Sequence, residues 1–173
     1  MKKLTVALSA LLFAFPMAAS AAGAKTLKVT EKVEIKAPAA DIWAKVNNFG
    51  DLGAWHPAVA KTEITSGKNN EKGAVRVLTL KDGGTITEKL TAYSSKTMTF
   101  SYIISEGVLP VSHYASTVTV KAGKGGMTTV TWTGSFKRKD LSDKPKQGED
   151  DEAAVKTMKT VYRAGLDNLA KAF

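Results

Sequence analysis

The clearest pattern along the chain is the alternation of hydrophobic and polar residues between Leu27 and Ile35. Leu27, Val29, Val33 and Ile35 fall on one parity, and charged or hydroxyl residues stand between them. Successive side chains of a strand point to opposite faces, so this pattern predicts a half-buried first β-strand.

After Pro38 the spacing becomes helical, because apolar residues recur every three or four positions. These residues are Ile42, Trp43, Val46 and Phe49. Proline is favoured in the first turn of a helix, and Gly50 and Gly53 end the pattern. We expect two short elements here, a helix and a second short helix or turn that leads to Trp55.

Between Val59 and Lys137, strand-like runs alternate with turn clusters rich in Gly, Ser, Asp and Pro. The clusters occupy residues 67–73, 82–84, 94–95, 107–110 and 123–126. This spacing predicts six further strands joined as an antiparallel meander. In each run one parity is mostly apolar, and Arg76, Glu88 and Ser116 are its polar exceptions.

The last predicted element is a long amphipathic helix from Glu149 to Phe173. Its apolar stripe consists of Val155, Met158, Val161, Tyr162, Leu166 and Leu169. Acidic residues lead this segment and basic residues follow, which suits the helix dipole. The order of elements predicts an α+β fold in which a curved, seven-stranded antiparallel sheet wraps around the long C-terminal helix.

The first 24 residues are typical of a Sec-type signal peptide. Two lysines precede an uncharged apolar run and a small-residue tail. The run is too short for a transmembrane helix, which needs about 20 apolar residues. We predict cleavage after Ala21 or Ala24, a single domain over residues 25–173, and no transmembrane segment. The expected location is the periplasm, with secretion as the alternative.

Composition narrows the function classes. The absence of cysteine excludes disulfides, thiolate nucleophiles and Cys-ligated metals. His56 and His113 are the only histidines, too few for a zinc site without added carboxylates, so neither metal nor cofactor is expected.

Without the two signal-peptide lysines the chain has 23 basic and 16 acidic residues, a net charge of +7. Export argues against a nucleic acid, so this charge indicates either an acidic protein partner or a merely soluble surface.

Three short motifs, in this order of elements, carry a resemblance to a known superfamily. They are Trp55-His56-Pro57-Ala58-Val59, Thr87-Glu88-Lys89-Leu90 and His113-Tyr114-Ala115-Ser116. With them the chain resembles the START-like superfamily of polyketide cyclases, pollen allergens and plant abscisic acid receptors, and the receptor-like branch most of all. The resemblance covers nearly the whole mature chain and implies a helix-grip fold.

The resemblance also implies a ligand cavity between the sheet and the long helix. In the receptor-like branch the equivalents of His56, Glu88, Tyr114 and Ser116 line that cavity, and two loops, here Asp82-Gly83-Gly84 and Leu109-Pro110, form its mouth. The candidate ligand-binding residues of this chain are His56, Glu88, Tyr114, Ser116, Arg76, Tyr102 and Trp132.

Each polar candidate has a structural alternative. His56 either donates to a ligand or packs between its neighbours Trp55 and Pro57. Glu88 either faces a ligand or forms a buried pair with Arg76, because an isolated buried carboxylate is too costly. Tyr114 and Ser116 offer hydroxyls to a ligand or pack within the sheet. The tryptophans are expected in the core.

Within this branch the chain resembles the MxaD-type periplasmic proteins of methanol oxidation. This implies a non-enzymatic accessory protein that promotes the encounter of methanol dehydrogenase with its cytochrome acceptor. The alternative is a periplasmic carrier of a small hydrophobic or lipid-like ligand. The second alternative is a cyclase or dehydratase that uses His56, Glu88 or Tyr114 as acid and base, although no nucleophile or oxyanion loop accompanies them.

Overall fold

The computed structural model describes residues 23–173, so the predicted signal peptide lies outside the described residues except for Gly23 and Ala24. The described part has seven strands and two α-helices in the predicted order. They are β1 (Leu27–Ile35), α1 (Ala39–Val46), β2 (Val59–Ser66), β3 (Val75–Leu80), β4 (Thr85–Ser94), β5 (Thr99–Gly107), β6 (Val111–Ala122), β7 (Thr128–Arg138) and α2 (Asp151–Ala170).

The strands form one antiparallel sheet in the order β1-β7-β6-β5-β4-β3-β2. The last strand returns to pair with the first, with Leu27 opposite Phe136 and Ile35 opposite Thr128. The curved sheet holds α2 on its inner face, where α2 packs mainly against β1 and β7. The predicted helix-grip architecture is therefore confirmed.

The segment between β1 and β2 is less helical than its spacing predicts. Helix α1 ends at Val46, and Phe49 lies beyond it although it is fully buried. The backbone N–H of Phe49 donates to the side chain of Asn70 (2.9 Å), and that of Gly50 donates to Asn69 (2.8 Å). The two asparagine side chains thus provide hydrogen-bond acceptors for backbone N–H groups that lie beyond the end of the helix. The second predicted helix is a single 3₁₀ turn at Leu52–Ala54.

Helix α2 begins as the charge pattern predicts. The Asp150 carboxylate accepts a hydrogen bond from the N–H of Ala153 (2.8 Å), and two more acidic residues occupy the first turn. The apolar stripe faces the sheet, and Met158, Tyr162 and Leu166 are buried there.

Tyr162 makes the closest contact between α2 and the sheet. Its ring stacks on Trp132, with 4.6 Å between ring centroids and 15° between planes. Its hydroxyl reaches past Trp132 to the backbone of β7 at Gly134, where it fills the space that a Cβ atom would occupy. The helix can pack this tightly only because residue 134 has no side chain.

We expect Gly134→Ala to lower the free energy of unfolding by about 1–3 kcal/mol, because the new methyl group overlaps the Tyr162 hydroxyl. Tyr162→Phe removes that hydroxyl, so the double variant should lose less stability than the sum of the two single variants. Gly53→Ala is the matched control, since its Cβ meets ordinary contacts of 3.5 Å or more. Denaturant unfolding measures all four variants. Additive losses would contradict the proposed overlap.

Candidate functional site

A small internal cavity lies between the sheet and α2. Its apolar wall includes Leu78, Leu80, Ile86, Ile104, Met158 and Val161. Its volume is about 60 Å³. That is room for a few water molecules or a compact solute, whereas pockets for drug-sized ligands measure roughly 300–1,000 Å³.

Five of the seven candidate residues line this cavity: His56, Glu88, Tyr102, Tyr114 and Trp132. Arg76 and Ser116 are buried behind the wall. The guanidinium of Arg76 donates hydrogen bonds to the carboxylate of Glu88. The hydroxyl of Tyr162 lies 3.5 Å from Ser116 Oγ. Their inward parity was predicted correctly, but side chains from neighbouring elements separate them from the cavity.

Of the two predicted mouth loops, only Leu109-Pro110 reaches the cavity, through Leu109. The Asp82-Gly83-Gly84 turn lies at the same end of the sheet and packs against the 107–110 loop. A Cβ on Gly84 would come within 2.9 Å of the Val108 side chain. We refer to the end of the sheet that carries loops 81–84 and 107–110 as the mouth end.

Glu88 and Tyr114 both lie beside β-bulges. The β4–β5 register shifts after Thr87 and leaves Ser105 without a partner. The β6–β7 register shifts after Ser112, where His113 has a φ of 50°. Such bulges bend a strand and change the direction of nearby side chains. Strict alternation already places both side chains on the inner face, and the bulges add a local bend beside them.

Arg76 and Glu88 form a buried ion pair. Arg76 Nε and Nη2 both lie 2.6 Å from Glu88 Oε2. Nη1 donates to the carbonyl of Phe49 (2.7 Å), and the guanidinium lies 4.0 Å from the centroid of the Phe49 ring. Burial raises the pKa of Glu88 and the charge of Arg76 opposes that rise. Protonation of Glu88 would leave the guanidinium uncompensated, so we assign the ionised pair.

Both ring nitrogens of His56 contact backbone groups. Nδ1 accepts a hydrogen bond from the N–H of Ala58 (3.2 Å), and Nε2 lies 3.0 Å from the Val161 carbonyl within α2. These partners assign the neutral tautomer with the proton on Nε2. Burial lowers the pKa of His56; the Val161 carbonyl opposes this shift, and the Arg76 charge adds to it.

Gly165 permits the close contact between the His56 ring and helix α2. A Cβ on Gly165 would lie 2.7 Å from His56 Cδ2 and 3.0 Å from the ring of Trp132. A glycine inside a helix costs about 1 kcal/mol relative to alanine. Its position in an amphipathic helix is therefore a sequence signal of close packing, and our sequence analysis missed it.

Trp132 is the centre of a hydrogen-bonded group within the core. Its Nε1 donates to Tyr102 Oη (3.0 Å) and to Ser116 Oγ (2.9 Å). The hydroxyls of Tyr114 and Tyr162 lie 2.6 Å apart. Burial raises the pKa of Tyr102, Tyr114 and Tyr162, and it raises that of Tyr162 to about 12. All three hydroxyls are therefore neutral near pH 7.

Residues 23–173 contain neither a candidate metal site nor a helix that could span a membrane. Within that range no three His, Asp or Glu side chains are grouped so that they could hold a metal ion. No helix of the described part is long and apolar enough to cross a bilayer.

A curved antiparallel sheet closed by a long helix, with a cavity between them, defines the class of helix-grip proteins. Residues 26–173 match the family described as polyketide cyclase / dehydrase and lipid transport, and the chain belongs to this family. No curated protein matches the chain.

Solved structures support the same assignment. The protein XoxI from Bacillus cereus is 30% identical, with a TM-score of 0.73 over 84% of this chain and 94% of that one. A protein from Nitrosospira multiformis is 27% identical, with a TM-score of 0.70 over 85% and 96%. Ara h 8.0201, at 18% identity and a TM-score of 0.66 over 86% and 97%, shares the fold.

The buried pair generates a stability prediction. We expect Arg76→Met and Glu88→Leu each to lower the free energy of unfolding by about 3–5 kcal/mol, because each leaves one buried charge without its partner. The double variant should lose less than either single variant, since no charge then remains. Denaturant unfolding measures the three variants. Losses that add in the double variant would contradict a mutually compensating pair.

His56 generates a pH prediction. In the unfolded chain a histidine has a pKa of about 6.5 and takes up a proton at a higher pH than the folded protein does. The free energy of unfolding should therefore fall as the pH drops from 7.5 to 5.5, by at most about 1.4 kcal/mol per pH unit below 6.5.

The His56→Gln variant should lose this pH dependence, whereas His113→Asn, which changes the exposed histidine, should keep it. Denaturant unfolding at several pH values tests both. An unchanged slope in His56→Gln would rule out His56 as its source.

Proposed function

We propose that the protein is a non-enzymatic periplasmic accessory protein of the MxaD type, which promotes the interaction of methanol dehydrogenase with its cytochrome acceptor. The observation that carries this proposal is the small size of the cavity. A volume of about 60 Å³ is far below that of pockets that enclose drug-sized ligands, which supports a function carried by the surface of the molecule.

The state of the buried polar groups supports a role without catalysis. A general base needs a free lone pair near the reacting proton and a pKa close to the working pH. His56 uses both nitrogens on backbone groups, the Glu88 carboxylate binds Arg76, and the cavity tyrosines keep their protons.

The periplasmic part of the proposal rests on the signal-peptide pattern of residues 1–24. The two predicted cleavage positions, after Ala21 and after Ala24, both leave the matched region of residues 26–173 intact.

A second candidate function is the binding of a compact, mostly apolar molecule in the cavity. The observation that favours it is the second carboxylate oxygen of Glu88. Both Arg76 contacts go to Oε2, and among the described residues no hydrogen bond reaches Oε1. A small ligand with a hydrogen-bond donor would pair with that oxygen.

Calorimetric titration tests the accessory function. We expect the mature protein to bind methanol dehydrogenase or its acceptor cytochrome at low salt, and more weakly at moderate salt, because ions screen the attraction of a basic protein to an acidic one. Mass spectrometry of the extracted protein checks for bound small molecules beforehand. Lack of binding to both proteins at low salt would overturn the proposal, and a copurified compact molecule would then favour the second candidate.

A further inference from the structure

We propose that the end of the sheet opposite the mouth end binds the acidic protein partner; this inference rests on the proposed function. Five exposed lysines form this surface, which we name the lysine end: Lys36, Lys45, Lys96, Lys121 and Lys124. Along the sequence they are scattered over nearly 90 positions, and only the fold brings them to one place.

Strand register brings two of these lysines to the same end of the sheet. Ile35, Thr128 and Ala122 lie in one row across β1, β7 and β6. Lys36 follows the first of these residues and Lys121 precedes the last. The β6–β7 turn continues from this row and carries Lys124.

The other two lysines come from neighbouring segments at the same end. The carbonyl of Met98, in the β4–β5 turn that carries Lys96, accepts a hydrogen bond from the N–H of Val120 (2.9 Å). Helix α1, whose last turn carries Lys45, packs there through Trp43, whose ring lies 6.2 Å from that of Phe100 at the start of β5.

The spacing of the strands makes the lysine end compact. Adjacent strands lie about 4.8 Å apart, so the four steps from β1 to β4 span roughly 20 Å. Lysines on neighbouring turns therefore lie within about one Debye length at 0.1 M salt, and their fields add.

The two ends of the sheet differ sharply in charge. The segments at the lysine end, residues 36–45, 67–74, 94–98 and 121–127, contain seven lysines and two acidic residues. The segments at the mouth end, residues 81–84, 107–110 and 139–149, contain four lysines and four acidic residues. Among the described residues, no ion pair neutralises any of the five lysines of the lysine end.

The β6–β7 turn sets the backbone position of Lys124. Gly125 and Gly126 have φ values of 65° and 75°, which glycine adopts without strain. The N–H of Gly123 donates to the carbonyl of Met127 (2.8 Å) and closes the turn. The closed turn keeps Lys124 at this end of the sheet.

The residues around the lysine end favour a protein over a membrane as its binding partner. An interfacial membrane site combines basic residues with large apolar side chains that insert into the lipid. The exposed large apolar residues of the described chain are Val108, Leu141 and Phe173, and none lies in the segments of the lysine end. Lysine charge without an apolar anchor fits an acidic protein surface.

Charge reversal tests the assignment. The variant with Lys96→Glu, Lys121→Glu and Lys124→Glu is compared with a control that carries Lys139→Glu, Lys144→Glu and Lys146→Glu at the mouth end. All six side chains are exposed, and both triple variants lose six units of net charge. Calorimetry at low salt measures binding to methanol dehydrogenase and to its acceptor cytochrome. Circular dichroism checks that both variants fold.

We expect the lysine-end variant to bind at least about tenfold more weakly than the wild type, and the control to stay within about twofold to threefold. Equal weakening of both variants, or weakening in the control alone, would overturn the surface assignment while leaving the proposed function intact. A wild type that binds neither protein would overturn both. Binding to phosphatidylglycerol vesicles, lost in the lysine-end variant, would replace the protein partner with an anionic membrane.

Discussion

The close approach of α2 to the sheet governs both the size of the cavity and the surroundings of the buried polar groups. Gly134 on β7 gives room to the Tyr162 hydroxyl, and Gly165 on α2 gives room to His56. Trp132 packs between these two contacts and stacks on Tyr162. Because the helix lies so close, its side chains fill most of the space that the curved sheet encloses, and only about 60 Å³ is left.

The same packing determines the chemistry of the interior. A buried polar group must find a partner, and here each ionisable one finds it within the fold. Arg76 neutralises Glu88, backbone groups bind both nitrogens of His56, and burial keeps Tyr114 protonated. A family that includes cyclases and lipid carriers has in this chain a small, mostly apolar cavity.

The small volume of the cavity gives more weight to the surface, and the antiparallel topology organises that surface. Each hairpin connection lies at one end of the sheet or the other, so alternate turns gather together. Lysines collect at one end, and the loops near the cavity carry nearly balanced charge. The two ends therefore present different chemistry to other molecules, although the composition records only an overall excess of positive charge.

The residue pattern alone predicts the seven strands, the long helix and the inward parity of Arg76 and Glu88, because strand and helix periods are local properties of the chain. The packing of these elements set the other features. It ended α1 early through side chains from a distant loop, placed Arg76 and Ser116 behind the cavity wall, and set the cavity volume through two glycines. These outcomes depend on contacts between residues far apart in the sequence, which no local pattern encodes.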